Sequence, residues 1–126
     1  MQKTIIESKQ APAAIGPYSQ AVKVGDLVFL SGQIPLDPET MTMIEGDIVA
    51  QAHQVFKNLA AVAKAAGGSL DNCVKVHVFL TDLGDFAKVN EVMQQYFNAP
   101  YPARAAIGVA ALPRGSGVEV DAIMAL

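Results

Sequence analysis

The chain is 126 residues long, 52% hydrophobic and only 17% charged, with a formal net charge of -3, against roughly a quarter charged in an average soluble domain. Residues 1–126 are read as a single domain with one hydrophobic core, and the acidic balance offers no basic stripe for a phosphate backbone, so no nucleic-acid partner is expected. So few charges on so apolar a chain leave surface that self-association would bury.

In chain order, Met1 to Gln10 holds no apolar run of a secretory signal and is expected to be mature as it stands. Thr4 to Ile6 reads as a short strand, and Pro12, Gly16 and Pro17 make 8–17 a loop. Ala21 to Val24 and Leu27 to Leu30 flank Gly25-Asp26, a pair suited to a two-residue hairpin turn with glycine first. Pro35, Pro38 and Gly46 keep the next stretch irregular as far as Asp47, the N-cap of a helix that runs to Gly67-Gly68. Along it Ile48, Ala52, Val55, Phe56, Leu59, Ala63 and Ala66 recur at three- and four-residue steps, while Gln51, Gln54, Lys57 and Lys64 fall elsewhere.

From Cys73 to Thr81 the period changes to two, with Val74, Val76, Val78 and Leu80 on one face and Cys73, Lys75, His77 and Phe79 on the other. The lone Cys73 excludes an internal disulfide framework and fits a reducing compartment, so a cytoplasmic location is expected. Thr81 or Asp82 caps a second helix that turns Phe86, Val89, Met93, Tyr96 and Phe97 inward and is stopped by Pro100 and Pro102. Strands over Arg104 to Ala111 and Val118 to Met124 follow, joined by 113–117. The longest uncharged apolar stretch, Ala105 to Leu112, is far short of the ~18 to 20 residues of a membrane span, and no membrane partner is expected.

The order β, β-hairpin, α, β, α, β, β predicts one mixed sheet with both helices on the same face, because crossovers are right-handed. No helix remains for the other face, yet the strands are largely apolar on both sides. That face is expected to meet other subunits.

Few motifs carry chemistry. His53 and His77 belong to no HExxH or Cys/His cluster, so no metal site is expected. His53 falls near the polar side of its helix and reads as a solvated residue, while His77, facing away from the valine row, is placed to titrate at an interface. Cys73 reads as a small half-buried hydrophobe. Gly115-Ser116-Gly117 precedes a strand and lacks the helix N-terminus of a phosphate loop, and Ser31 lacks a nucleophile elbow. Charges inside strands are more telling. Arg104 opens an otherwise uncharged strand, and Glu119 and Asp121 share one face of the last. If those two strands pair through 113–117, Arg104 and a carboxylate come close on one sheet face. Spacing alone leaves an ordinary ion pair and a ligand site as equal alternatives.

The segments Ala13-Ala14-Ile15-Gly16-Pro17-Tyr18-Ser19-Gln20, Leu30-Ser31-Gly32-Gln33-Ile34-Pro35 and Tyr101-Pro102-Ala103-Arg104 with Val109-Ala110-Ala111-Leu112-Pro113 are joined by three others. These are Asn58-Leu59, Thr81-Asp82 with Phe86, and Val118-Glu119-Val120-Asp121-Ala122. In combination, over essentially the whole chain, they resemble the RidA (YjgF) family of reactive-intermediate deaminases. The resemblance implies a chorismate-mutase-like α+β fold, a mixed β-sheet of about six strands with two helices on one face. It also implies a homotrimer in which the open sheet face lies in the core and the sites lie in clefts between subunits.

The activity implied is that of a 2-iminobutanoate/2-iminopropanoate deaminase, which hydrolyses the C=N bond of small-molecule 2-imino acids, or their enamine tautomers, to 2-keto acids and ammonia with no cofactor and no metal. Arg104 matches the arginine that holds the substrate carboxylate, and its planar fork suits bidentate binding in a way Lys does not. Glu119 matches the acidic residue that positions water, and a nearby arginine is expected to keep it ionised and weakly basic. Tyr18 matches a tyrosine bordering the pocket, the Ser31 hydroxyl and Gly32 N–H are candidate substrate contacts, and Asn90 matches an asparagine with a structural role. Many members carry Cys two residues after the arginine, often preceded by Ser. Here Ala105 and Ala106 stand there, so thiol-based regulation cannot use that position. A non-catalytic module that senses 2-keto acids through Arg104, and an RNA-directed or chaperone-like role, remain as alternatives.

Overall fold

The alternating and three-to-four-residue periods resolve, in the computed structural model, into six strands and two helices; the structure describes residues 2–126. The elements are β1 (Lys3–Ile6), β2 (Ala21–Val24), β3 (Leu27–Gln33), α1 (Ile48–Ala65), β4 (Cys73–Leu80), α2 (Phe86–Met93), β5 (Ala103–Gly108) and β6 (Val118–Ala125). They form one sheet in the order β1-β2-β3-β6-β4-β5. Every pairing is antiparallel except that of β4 with β5.

Local chemistry sets the element ends. Val24 pairs with Leu27 across Gly25-Asp26, and Gly25 has φ 59, a left-handed conformation that glycine adopts without a Cβ clash. Asp47 caps α1 by accepting the Ala50 N–H at 3.0 Å. At the other end the Gly67 N–H donates to Lys64 O and the Gly68 N–H to Ala63 O, with Gly67 at φ 96. This reciprocal pair closes the helix and satisfies two orphan carbonyls. No helix among the described residues is long and apolar enough to cross a membrane.

Both helices cover one face of the sheet. Val28, Leu30, Val76, Val78, Leu80, Val118, Val120 and Met124 point to that side and are buried against Val55, Phe56, Leu59 and Val62 of α1 and Val89 and Val92 of α2. Each such side chain contributes about 1.5–3 kcal/mol when fully buried. The opposite face carries Phe29 and Ile107, still 45% and 49% exposed, with Ile5 and Leu27 beside them. The fold class, α+β with six strands and two helices on one face, is the one expected.

Three local readings are corrected. Cys73 is buried and Val74 exposed, the reverse of the expected alternation, because a bulge between Cys73 and Lys75 shifts the β4–β6 register. The second helix ends at Met93 rather than near Phe97. Gln95 and Tyr96 make three-residue bonds back to Val92 and Met93, so the coil tightens there, although Tyr96 and Phe97 still pack on the Phe56 ring at 5.5 and 5.9 Å. Finally, β5 stops at Gly108 and does not pair with β6. It lies parallel to β4 at the edge, with β4 between the two strands.

Candidate active site

The expected site residues fall into two groups on opposite sides of the sheet. The first surrounds Glu119. In β6 Glu119 is in register with Phe79 on the open face, and its carboxylate lies against Gly32, where β3 is distorted by a bulge between Leu30 and Gln33. A Cβ at Gly32 would collide with that carboxylate and stand 3.0 Å from its Cδ, so glycine is needed for the close approach. Tyr18 and Gly32 line a cleft with Glu119, Pro113 and Arg114.

Side-chain amides, buried at Gln20 and Asn58 and half-buried at Gln51, hold the irregular walls of this cleft. Gln20, only 4% exposed, donates through Nε2 to Ser8 O at 3.0 Å and Pro12 O at 2.7 Å and accepts the Ser8 N–H at 2.6 Å. It thereby staples the loop that carries Tyr18. From α1, Asn58 donates to Leu36 O at 2.9 Å, and Gln51 accepts the Gly117 N–H at 2.8 Å. The Ser31 hydroxyl donates to Ser19 O at 2.5 Å, which commits its proton to the loop and leaves only lone pairs for a ligand.

Glu119 is half-buried, and burial together with the Asp121 carboxylate raises its pKa above the ordinary glutamate value. The expected arginine that would keep it ionised does not lie beside it within the chain. Asp121 pairs instead with His77 on β4, Nδ1 to Oδ1 at 2.6 Å, and the His77 ring stacks on Phe79.

Arg104 forms the second group. It is in register with Val76 and so points to the helix-covered face, at the edge of the sheet. Its Nη1 donates to Asn90 Oδ1 on α2 at 2.6 Å, and its guanidinium carbon sits 5.0 Å from the centroid of the Phe86 ring. The hydrogen bond and the cation–π contact fix the plane of the fork. Asn90, Met93, Tyr101 and Pro102 line a pocket around it.

Arg104 and Glu119 therefore do not meet on one sheet face. They occupy opposite faces, two strands apart and three residues apart in register, roughly 14 Å between Cα atoms from strand spacing and rise. The condition on which the sequence brought them together, direct pairing of β5 with β6, is not met. Of the other residues weighed, His53 is not simply solvated, since its Nδ1 shares a hydrogen bond with Tyr96 Oη at 2.9 Å. Cys73 is buried, and burial and Asp71 push its thiol up to about 11, which suits a packing role. Sequence reasoning missed Gln20 and Arg114 and undervalued Asn58. An amide within the apolar stripe of α1, between Val55 and Val62, was the available signal for Asn58.

Comparison with known proteins matches residues 8–126 to the family model described as Endoribonuclease L-PSP. The chain is 60% identical over 125 residues to Protein DfrA of Myxococcus xanthus, covering 98% of this chain and 95% of that one. It is 50% identical over 121 residues to the 2-iminobutanoate/2-iminopropanoate deaminase of Mus musculus, covering 96% and 90%. Among solved structures, RidA from an Antarctic Psychrobacter superposes with a TM-score of 0.94 at 55% identity, covering 98% and 99% of the two chains.

Proposed function

The chain belongs to the Endoribonuclease L-PSP family, that of the RidA proteins, and from that premise we propose that it hydrolyses reactive 2-imino acids such as 2-iminobutanoate and 2-iminopropanoate to 2-keto acids and ammonia. The observation that carries the reading is the split itself: two prearranged half-sites, an oriented guanidinium and a partly desolvated carboxylate, face away from each other in one chain. A homotrimer that closes on the apolar open face is the arrangement that sets Arg104 of one copy against Glu119 of the next. Relatives named for this deaminase activity support the substrate class.

Arg104 holds the substrate carboxylate through two parallel N–H donors. The protonated C=N carbon is already an electrophile, so fixing a water against C2 is the main task, and Glu119 orients that water and accepts its proton. In the isolated chain burial and Asp121 raise the pKa of Glu119, and in the closed cleft the neighbouring guanidinium acts against that rise, so positioning of the water carries the step more than base strength does. The new C2–O bond gives a carbinolamine. Glu119 hands the proton it took to the amino nitrogen, the C2–N bond breaks and ammonia leaves, and the hydroxyl proton passes to Glu119 and on to solvent, which yields the keto acid and restores the carboxylate. The protein as a cofactor-free enzyme of the cytoplasm is part of the same reading.

The test follows the decay of 2-iminobutanoate generated in situ by a threonine dehydratase. Arg104→Ala and Glu119→Gln chains are each expected to keep about a tenth of wild-type activity or less. When they are unfolded and refolded together, mixed trimers contain clefts with both native groups, so about a third of wild-type activity per cleft-competent particle should return, on the order expected for one restored cleft in three. No recovery in verified mixed particles would place both groups in a single chain's site and refute the shared cleft. Wild-type protein that binds 2-ketobutanoate without accelerating imine decay would refute the enzyme and favour the sensing module.

A further inference from the structure

The cleft that holds Glu119, Gly32 and Tyr18 is bordered by a cation that the deamination of an alkyl imino acid does not require. Arg114 lies in the turn Pro113–Gly115 just before β6, and it is the one cationic residue among those lining this cleft. Its backbone has φ 58, in the left-handed region that a non-glycine residue seldom occupies. One guanidinium N–H donates to the carbonyl of Met41 at 3.1 Å, and Met41 itself has φ 58. Two left-handed residues from distant loops are thus joined by one hydrogen bond, one of them in the wall of the cleft. Such outliers persist where the surroundings over-determine them, often at ligand clamps.

The charge of Arg114 is not neutralised. Among the described residues the only ion pair is His77–Asp121, and the Met41 bond uses one of the five donors of a guanidinium. Glu119 is the acidic residue of the same lining, so an anionic group would be rejected here unless a cation offset it. Arg104 stands on the other face of the sheet and is already assigned to the 2-carboxylate. A cleft closed by two copies would hold two guanidinia, one on each wall, where a 2-imino acid with an alkyl side chain has only one carboxylate to offer.

Resting on the deaminase reading, we infer that Arg114 is a specificity residue that takes a second, distal carboxylate, so that the substrate range extends to 2-imino dicarboxylic acids of four or five carbons. The reaction is unchanged: water adds at C2, the C2–N bond breaks, ammonia leaves, and Arg114 takes no proton. Its fork holds the side-chain carboxylate through donors left over from the Met41 bond. Charge-assisted bonds of this kind are worth roughly 10- to 100-fold in affinity.

The experiment compares wild type with Arg114→Met, and with Arg114→Gly, which removes the guanidinium while easing the left-handed backbone. Two imines are generated in situ by an amino acid oxidase, one from glutamate and one from a neutral amino acid. In parallel, binding of 2-ketoglutarate and 2-ketobutanoate is measured by calorimetry. The ratio of kcat/KM for the dicarboxylic over the monocarboxylic imine should fall about tenfold or more in both variants, with a matching loss in relative affinity for 2-ketoglutarate, on the scale of a charge-assisted hydrogen bond. Unchanged ratios in both assays would overturn the assignment. Because the binding arm needs no turnover, a wild-type chain that fails to hydrolyse either imine refutes the deaminase reading, while the 2-ketoglutarate preference still decides the role of Arg114.

Discussion

On the helix-covered face of the sheet, Val76, Val78, Leu80, Val118 and Val120 are at most 1% exposed, whereas on the open face Phe29 and Ile107 stand 45% and 49% exposed. The side chains are equally apolar, so hydrophobicity did not decide which face is covered within the chain. The supply of helices did. Two helices suffice for one face, and the same strands present their alternate residues to whatever lies outside. The two charges proposed to act on substrate divide along the same line, Arg104 with the helices and Glu119 with the open face. One face is therefore responsible for folding the subunit, and under the proposed function the other completes the site.

The sharpest way to break this contrast is to place the same charge on each face. Val78→Asp buries an unpaired carboxylate at a position 1% exposed and should cost several kcal/mol, enough to unfold a chain of ordinary marginal stability. Phe29→Asp should leave the circular dichroism of the subunit intact and dissociate the assembly in sedimentation, with loss of activity. A folded Val78→Asp chain, or an assembled Phe29→Asp chain, would erase the distinction between the faces. Next in size, Arg104→Ala and Arg104→Lys should each lower kcat/KM for 2-iminobutanoate by about 100-fold, since Lys lacks the bidentate fork. Near-normal rates in the Lys variant would refute bidentate binding.

A smaller effect is expected across the sheet at Glu119. Glu119→Gln should slow turnover by about 10- to 100-fold, at or below the low end for removing a general base because the amide still orients the water, while calorimetry shows 2-keto acid binding retained. Stability supplies a second reading of the same residue. A carboxyl whose folded pKa lies above its unfolded one adds stability below the ordinary carboxylate range and loses it as pH rises through the raised value. In the dissociated Phe29→Asp background, where Glu119 keeps the raised pKa given by burial and Asp121, urea midpoints should fall with rising pH across that window. Glu119→Gln should remove this slope. An identical pH profile in both chains would mean that the carboxyl is not desolvated.

How much of this was legible in the sequence depends on how local the cause is. The turn at Gly25-Asp26, the cap at Asp47 and the two faces of α1 follow from neighbouring residues, and the sequence contained all of them. The reversal of Cys73 and Val74 did not, because a bulge is set by the partner strand β6, some 50 residues away in the chain. Strand order was hidden for the same reason: β5 and β6 are consecutive, yet β4 separates them. With that insertion, the registers through β4 set Arg104 and Glu119 on opposite faces, so the close approach that would have made either an ion pair or a ligand site within one chain does not occur. Arg104 and Glu119 stood out as charges in apolar strands. Gln20 could not, since its partners are main-chain carbonyls of Ser8 and Pro12, which any sequence provides.

The central position of β6 also governs when the protein becomes a protein during synthesis. Everything through β3 can pair as a three-stranded ribbon, and β4 with β5 can pair as a second unit, but only β6 hydrogen-bonds to both β3 and β4. Chains emerge N-terminus first at roughly 5–20 residues per second, so the three-stranded ribbon waits with an unpaired edge, and between completion of β5 at Gly108 and arrival of β6 there are two unjoined pieces of sheet. The strand that locks them together is the one that delivers Glu119. A nascent chain thus acquires its fold and the carboxylate proposed to position water in a single late event.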